Sequence, residues 1–322
     1  MPESDAPPGA SNAKIAPVTV DAETIDNWSK SPGFSLQMLL CVIRLLPRGR
    51  GVVSRWFGRH VMRNMRRSIR MPGGELVAID PHNLEVYLLN AISADRNVDV
   101  VLRAINAILK MTASKKNVFY DIGANAGFVT LAVAKRFGDA VQIVSFEPQP
   151  VLAERVAISA RLNQFKNIQV YSLLLGDQTG EMDLFVPTLG VGASSVWWDK
   201  QSPGVQTIRR PVERLDALVE SDQIAPPTLI KIDVEGAERM VLGGAKELLA
   251  KHQPVLLFES FGETADELEE RRKILELISS SAAYEFYFVE SAGKFRPIDQ
   301  SAGTDSDDIL AAPRGWTPPS SF

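Results

Sequence analysis

The stretch that decides the fold is residues 118–128, which read Val-Phe-Tyr-Asp-Ile-Gly-Ala-Asn-Ala-Gly-Phe. Its apolar start predicts a strand, its two glycines predict a turn, and a helix is predicted to begin at Phe128. In an open parallel sheet this kind of turn lies at the carboxyl edge, where a ligand can approach backbone N–H groups at a helix N-terminus. The stretch therefore predicts a ligand-binding loop.

Short apolar runs continue to alternate with helical segments after this stretch. Strands are predicted at residues 118–120, 141–146, 168–175, 228–232, 255–258 and 284–289, and helices are predicted to begin at Phe128, Val151, Ala237 and Ala265. Upstream, residues 71–90 predict a short hairpin and residues 98–109 predict a helix. Continuous apolar strands between helices indicate an α/β fold with a doubly wound, mostly parallel sheet that is buried on both faces.

An acidic residue at the end of the second strand narrows the choice of ligand. Glu147 follows Gly127 by twenty residues, where an acid can accept both hydroxyls of a ribose. A dinucleotide loop needs glycine at its third and sixth positions, but this chain has Asn125 and Phe128 there. Asp121 would repel phosphate and could hold an ammonium group or a water near one. S-adenosylmethionine has a ribose, an amino-acid tail and a sulfonium charge but no phosphate, so we expect it as the cofactor.

Three carboxylates follow the strand predicted at residues 228–232, namely Asp233, Glu235 and Glu238. This density is costly at the edge of a buried sheet unless the groups meet a cation or have a raised pKa. We therefore expect a functional role for them. The alternative is that Glu235 and Glu238 lie in the first turn of a helix, which favours negative charge, with Asp233 as its N-cap.

Together these segments resemble the FkbM-type family of S-adenosylmethionine-dependent methyltransferases. The resemblance covers about residues 117–260, and Lys-Ile-Asp-Val-Glu-Gly-Ala-Glu at residues 231–238 is its most specific part. The other matching segments are 121–128, 146–148, 175–180, 194–195, 215–218 and 257–259. The resemblance implies a class I methyltransferase (Rossmann-like) fold, a seven-stranded sheet with an antiparallel last strand, and O-methylation of a hydroxyl on a sugar, glycolipid or natural product.

The resemblance also implies roles for individual residues. It assigns cofactor binding to Asp121, Gly123, Asn125, Gly127 and Glu147, and it assigns the adenine pocket to Asp177. It would put Asp233 next to the transferred methyl group. A sugar hydroxyl is a poor nucleophile, so a general base would accelerate the reaction by about 10²- to 10⁴-fold. The candidate catalytic residues are Asp233, as the base or the group that orients the acceptor, then Glu238, and also Glu235. A divalent cation between substrate hydroxyls is an open alternative, and no metal-binding residue is assigned.

Charge is distributed unevenly along a chain whose net charge is −4. Residues 27–74 contain no acid, and Lys30 with nine arginines gives this segment +10, so the remainder carries −14. An apolar residue at every fourth position predicts an amphipathic basic helix over residues 52–70. Contact with an anionic membrane through residues 34–70 and a lid over the ligand crevice are both open interpretations. Nucleic acid is disfavoured as a partner because phosphate would repel the acidic remainder.

The expected organisation is a disordered leader at residues 1–33, a basic helical extension or lid at 34–113, a methyltransferase domain at 114–300 and a C-terminal tail at 301–322. Ordinary globular composition, with 45% hydrophobic residues, excludes a chain that is disordered throughout. A lone cysteine excludes an internal disulfide, and the apolar run at 34–46 is too short to span a bilayer.

We therefore expect a cytoplasmic enzyme, with peripheral contact at the inner membrane face as an open alternative. Its expected partner is a small-molecule or glycan acceptor, and the sequence does not determine its oligomeric state. Two other functions stay open at this point. One is a nicotinamide-dependent Rossmann oxidoreductase, and the other is a non-catalytic module that recruits a membrane or a partner.

Overall fold

The structure, a computed structural model, describes residues 15–29, 52–53, 56–57, 60–61, 67–71, 73–79, 96–111, 117–188, 196, 204–298 and 307–322. Its helices are α1 (Ala22–Trp28), α2 (Arg96–Met111), α3 (Phe128–Phe137), α4 (Pro150–Leu162), α5 (Leu215–Glu220), α6 (Glu238–Gly243), α7 (Lys246–His252) and α8 (Ala265–Ser281). Its strands are β1 (Ser68–Arg70), β2 (Leu76–Ala78), β3 (Asn117–Ile122), β4 (Val141–Phe146), β5 (Ile168–Tyr171), β6 (Leu174–Leu175), β7 (Gly180–Pro187), β8 (Val205–Glu213), β9 (Leu229–Ile232), β10 (Val255–Glu259), β11 (Tyr284–Glu290), β12 (Lys294–Pro297) and β13 (Asp308–Pro313).

The main sheet, within the described ranges, has eight strands in the order β12-β11-β13-β10-β9-β3-β4-β5. The strands from β10 to β5 in this order pair in parallel. In contrast, β13 is antiparallel to both of its neighbours, β10 and β11. The prediction of a doubly wound, mostly parallel sheet with an antiparallel last strand is therefore confirmed. The hairpin strand β12 adds an eighth strand to the seven that the family resemblance implied.

The sheet is buried on both faces because side chains alternate along each strand. One face packs against α6, α7 and α8 through Tyr120, Ile122, Ile230, Ile232 and Phe258. The other packs against α2 and α3 through Phe119, Leu229, Leu257 and Leu310. Side chains two positions apart in a strand lie on the same face of the sheet, so each residue two positions from Phe119, Leu229, Leu257 or Leu310 also lies on the α2 and α3 face. Asp121, Lys231, Glu259 and Asp308 therefore lie on the α2 and α3 face, at the edge of the sheet.

The C-terminal segment differs from its prediction as a tail at residues 301–322. Residues 309–312 are completely buried in β13, which lies between β10 and β11. The strand was missed because it is short, contains two alanines that have little β propensity, and ends at Pro313. The sheet therefore continues past the domain boundary that was predicted at residue 300.

The leader also differs from its prediction over residues 15–29. The Asp21 carboxylate caps α1 by accepting a hydrogen bond of 2.7 Å from the Thr24 N–H. Trp28, with 2% of its surface exposed, packs beside α4, and the Arg155 guanidinium lies 4.3 Å from the centre of its ring. A helix of two turns that is held by one buried tryptophan gives too little periodic signal to be predicted. The remaining residues of the predicted leader lie outside the described ones.

In the part of the chain that the structure describes, two small sheets accompany the main one. β1 and β2 form a hairpin, but only β2 lies within residues 71–90, where the hairpin was predicted. β1 lies in residues 68–70, for which the prediction of a basic helix is therefore wrong. β6, β7 and β8 form a second sheet that the sequence pattern did not indicate. The single strand predicted at residues 168–175 is wrong, because its first half pairs with β4 in the main sheet and its second half pairs with β8 in the small one.

Only parts of the basic segment are described. Val53 and Phe57 are partly buried against a cluster that includes Ala126 of the glycine loop. Trp56 is 57% exposed and stacks on His60, with 5.2 Å between the centres of the two rings. Residues 34–51 and most of the arginines lie outside the described residues, so the membrane and lid interpretations stay predictions. Within the described ranges, no helix has the length and apolar character needed to cross a membrane.

We expect Leu310→Ala to lower the free energy of unfolding by about 2–5 kcal/mol, because it leaves a cavity in the middle of the sheet. The control Leu268→Ala removes a side chain that is 48% exposed on α8. Its expected cost is about 0.5 kcal/mol or less. Urea unfolding followed by circular dichroism measures both. Equal losses would contradict a central position for β13.

Candidate functional site

The turn between β3 and α3 is shaped by residues with left-handed backbone. Gly123 has φ 77°, Asn125 has φ 51° and Gly127 has φ 80°. A Cβ atom on Gly123 would lie 1.8 Å from the Asp233 carbonyl oxygen. Only glycine therefore fits where this loop contacts the loop after β9. The Gly123 N–H also donates to the Phe146 carbonyl at 3.0 Å, which ties the loop to the end of β4.

A buried ammonium group joins the two acidic motifs. The Lys231 Nζ lies 3.4 Å from Asp121 Oδ1 and 3.0 Å from Asp233 Oδ2, and it donates to the Gly123 carbonyl at 3.3 Å. Burial opposes the positive charge of Lys231, but the carboxylates of Asp233 and Asp121 outweigh burial and raise its pKa. Both loops of the site are therefore connected to one cation.

Asp121 is completely buried and does not line a described cavity. Its other carboxylate oxygen accepts a hydrogen bond of 2.6 Å from the Thr130 hydroxyl. The sequence predicted that Asp121 could hold an ammonium group or a water near one, and the ammonium group that it contacts belongs to Lys231. In this structure Asp121 is therefore linked to the site through Lys231.

The first cavity lies at the carboxyl ends of β3, β4 and β9. Its lining includes three of the acids that the sequence singled out, Glu147, Asp233 and Glu235. It also has an apolar wall, formed by Leu173, Leu174, Leu175, Leu184, Val196, Met240 and Val241. No cationic side chain occurs among its described lining residues. This surface suits a ligand that combines a positive charge with a flat apolar group.

Glu147 occupies the position predicted for the ribose acid. Its two carboxylate oxygens accept hydrogen bonds from the Asn125 N–H at 2.8 Å and the Gln149 N–H at 2.9 Å. Burial raises the pKa of Glu147 to about 7, although both N–H groups counteract this effect. A carboxylate has about four acceptor sites, so Glu147 can still accept hydroxyl groups from a ligand. Gly123 and Asn125 line the same cavity, whereas Gly127 does not.

Besides Asp121, three further predicted site residues do not line either cavity. Asp177 is exposed on the turn after β6 and does not line either cavity. Glu238 is 5% exposed, and its carboxylate accepts hydrogen bonds from the Val234 N–H at 3.1 Å and the Gly236 N–H at 3.3 Å. Gly127 is the N-cap residue of α3. A glycine is needed there because a Cβ atom would lie 2.9 Å from a Val156 methyl group.

The position of Glu238 agrees with the alternative interpretation of the sequence, in which this carboxylate lies in the first turn of a helix. The helix α6 begins at this residue. Glu235 precedes the helix with φ 54° and lines the first cavity. Burial and the nearby charge of Asp233 raise the pKa of Glu235. Of the three candidate catalytic carboxylates, the structure therefore brings Asp233 and Glu235 to a cavity, but not Glu238.

A second cavity of about 280 Å³ adjoins the first, and Asp233 lines both. Its apolar side comes from α2, α3 and the neighbouring strands, with Val100, Val101, Val129, Leu257 and Val289. Its polar side includes Lys231, Asp233, Glu259, Ser291, Asp307 and Asp308. Neither Glu259 nor Asp308 was among the site residues predicted from the sequence. Glu259 had a usable signal, because it ends a buried strand as Glu147 and Asp233 do, whereas Asp308 belongs to the strand that was missed.

Burial and neighbouring negative charges raise the pKa values of Glu259 and Asp308. Burial, followed by the negative charges of Asp233 and Asp308, raises the pKa of Glu259 to about 8. Burial and Asp233 raise the pKa of Asp308 to about 6. Across the described residues, no group of three or more His, Cys, Asp or Glu side chains is arranged to hold a metal ion.

The sequence of this chain is similar to those of known methyltransferases. Residues 121–286 match the sequence profile of the methyltransferase FkbM domain. The 2-O-methyltransferase NoeI of Sinorhizobium fredii is 26% identical over 199 residues, which is 56% of this chain and 78% of that protein.

Among solved structures, a methyltransferase FkbM from Methylobacillus flagellatus aligns with 18% identity and a TM-score of 0.40, and the alignment covers 61% of this chain and 43% of that one. An O-methyltransferase from Thermotoga maritima aligns with 11% identity and a TM-score of 0.38, covering 67% of this chain and 64% of that one. The family profile covers more than half of the residues, and the chain therefore belongs to the FkbM family of methyltransferases.

Proposed function

We propose that this protein transfers a methyl group from S-adenosylmethionine to a hydroxyl group of a sugar, glycolipid or natural product. The observation that carries the proposal is the first cavity, which combines three carboxylates with an apolar wall and has no cation among its described lining residues. A dinucleotide carries negatively charged phosphates, which need backbone N–H groups or a cation to bind them and would be repelled by these carboxylates. The nicotinamide-dependent oxidoreductase is therefore not proposed further.

The residues of the first cavity fit the parts of S-adenosylmethionine. Glu147 accepts the ribose hydroxyls, and the leucines with Met240 contact the adenine. The carboxylates of Asp233 and Glu235 face the cationic end of the ligand. Gly123 and Asn125 allow the loop to approach the amino-acid tail closely. Bound S-adenosylmethionine supplies an electrophilic methyl group on a sulfonium.

The protein's own contribution is mainly alignment of the acceptor oxygen with that methyl group. Well-oriented pairs of reactants can gain about 7–11 kcal/mol in this way. Lys231 fixes the carboxylate of Asp233 at 3.0 Å, on the border between the two cavities. Asp233 is therefore suited to orient the acceptor hydroxyl. Oxygen as the methylated atom is supported by the relative that is named a 2-O-methyltransferase.

A cytoplasmic location and a lid role for the basic segment complete the proposal. The lid role is supported by Val53 and Phe57, which pack beside the glycine loop and the start of α3. The exposed Trp56 suits the alternative, contact with an anionic membrane. Flotation with anionic vesicles at low salt distinguishes them, and binding of the protein to the vesicles would favour the membrane.

Calorimetry tests the cofactor assignment. We expect the protein to bind S-adenosylmethionine and S-adenosylhomocysteine but not NAD, and to transfer isotope-labelled methyl groups to a member of a panel of methyl glycosides. Gly123→Ala should weaken cofactor binding by at least about tenfold, since its Cβ atom would overlap the Asp233 carbonyl.

The matched control is Gly315→Ala, which also has a positive φ, 90°, but has open space around its Cβ position. It should bind the cofactor as the wild type does. Binding of NAD without binding of S-adenosylmethionine would refute the proposed function. The double substitution Asp121→Ala with Glu147→Ala tests the non-catalytic alternative. If this variant loses cofactor binding but keeps the biological role of the wild type, the protein is a non-catalytic module.

Binding of S-adenosylhomocysteine should depend on pH through Glu147. The ribose hydroxyls donate to the ionised carboxylate, whose pKa in the free protein is about 7. The dissociation constant should therefore be constant above pH 8 and rise up to about tenfold per unit below pH 7. S-adenosylhomocysteine has no sulfonium charge. The ionisation of Asp233 and Glu235 should therefore contribute little to the pH dependence of its dissociation constant.

Glu147→Gln should bind about 10- to 100-fold more weakly at pH 8 and lose this dependence, because it removes a charged hydrogen-bond acceptor. The control Glu154→Gln changes a carboxylate on α4 that is 49% exposed, and it should retain the wild-type profile. A pH-independent dissociation constant in the wild type would exclude Glu147 as the ribose acid.

A further inference from the structure

Three carboxylates lie side by side at the edge of the main sheet. Ile232 pairs with Ile122 on one side and with Phe258 on the other, so the next residues, Gly123, Asp233 and Glu259, are neighbours. Glu259 in turn pairs with Asp308 across β10 and β13. The row Asp233, Glu259 and Asp308 therefore begins at the first cavity and continues along the second.

Asp233 and Glu259 have different partners. The Asp233 carboxylate forms an ion pair with the Lys231 ammonium group, whose nitrogen lies 3.0 Å from Asp233 Oδ2. Among the described residues, the Glu259 carboxylate makes no hydrogen bond or ion pair, although it lines the second cavity. A proton acceptor must be within reach of the hydroxyl that it deprotonates, and a cavity with an unpaired carboxylate meets this requirement.

The electrostatic surroundings of Glu259 point the same way. The charged groups around it are Asp233, Glu235 and Glu238 from the loop and helix after β9, Lys231 from β9 itself, and Asp307 and Asp308 from the start of β13. After burial, the negative charges of Asp233, Asp308, Glu235 and Glu238 raise the pKa of Glu259, to about 8. A general base works best when its pKa is close to the working pH.

We propose that the second cavity binds the acceptor and that Glu259 is the general base that takes the proton from the acceptor hydroxyl. This inference rests on the methyl transfer proposed above and adds the acceptor site to it. The O–H bond breaks, and its proton moves to a carboxylate oxygen of Glu259. The O–H electron pair forms the new bond from oxygen to the methyl carbon, and the pair of the broken carbon–sulfur bond stays on sulfur. Glu259 then releases the proton to solvent.

A buried arginine on α8 supports this arrangement. Arg271, which is 5% exposed, donates to the carbonyl of Ser260, and its guanidinium lies 3.8 Å from Asp307. The Ser260 N–H donates to the Asp307 carbonyl at 2.7 Å. Arg271 therefore contacts the residues that directly follow Glu259 and precede Asp308. It is a positioning residue for the two acids rather than a catalytic one.

A carbon-13 NMR titration of the glutamate carboxyl groups tests the inference without an acceptor. The Glu259 signal is the one that Glu259→Gln lacks. We expect it to titrate near pH 8 in the free protein, and about one unit or more lower in the complex with S-adenosylmethionine than in the complex with S-adenosylhomocysteine, because only the former has a sulfonium charge. Equal midpoints in the two complexes would overturn the inference, since Glu259 would then be remote from the reacting methyl group.

Kinetics with the glycoside that the panel identifies provide the second test. In the wild type saturated with S-adenosylmethionine, kcat/KM for the acceptor should rise with pH and level off about one unit above the Glu259 midpoint that the titration gives for that complex, because only the ionised form of Glu259 accepts a proton. Glu259→Gln should lower kcat by about 10²- to 10⁴-fold and abolish this rise. Its dissociation constant for S-adenosylhomocysteine should stay within about threefold of the wild-type value, since this ligand contacts the first cavity. Asp308→Asn should shift the rise to lower pH, because it removes a neighbouring negative charge.

The matched control is Glu276→Gln, an exposed carboxylate on α8 that pairs with Arg272. It should behave as the wild type in both tests. A Glu259→Gln variant that retains wild-type kcat or the same pH profile would overturn the role of Glu259. Failure of the wild type to bind S-adenosylmethionine would instead refute the proposed function itself, so the two failures are distinguishable.

Discussion

The ion pairs of Lys231 with Asp121 and Asp233 are the interaction on which the rest of the site depends. Asp121 is on β3 and is fully buried, Asp233 begins the loop after β9, and the Lys231 ammonium group lies between them. Removing one partner from a buried ion pair costs about 3–5 kcal/mol, because a charge stays buried without compensation. The same ammonium group donates to the Gly123 carbonyl, so the loops from both strands have one common support.

This support lets neighbouring carboxylates take different roles at one edge of the sheet. Glu147 is fixed by two backbone N–H groups and Asp233 by an ammonium group, while Glu259 is surrounded by negative charge. Carboxylates with unlike surroundings can have different roles within one site. In our proposals Glu147 binds the ribose, Asp233 orients the acceptor and Glu259 accepts the proton.

The sequence predicted the parts of this edge that have a strong local signal. The apolar runs that became β3, β4, β9 and β10 were each followed by the loop or acid that lines a cavity, so Gly123, Glu147 and Asp233 could be found without the structure. The pattern failed where tertiary packing decides. The alanine-rich strand β13 is buried because it fits between β10 and β11, and Glu238 turns back to its own loop instead of towards a ligand. Neither property is visible in local periodicity.

The position of β13 has a consequence for the order in which the enzyme forms during synthesis. This strand follows all the other described strands along the chain, yet it is inserted between β10 and β11 and supplies Asp308 to the second cavity. Until β13 has left the ribosome and entered the sheet, the strands beside the first cavity can already be paired, but β10 and β11 each have an unpaired edge. If the two cavities have the roles proposed above, the donor site forms before the acceptor site is complete.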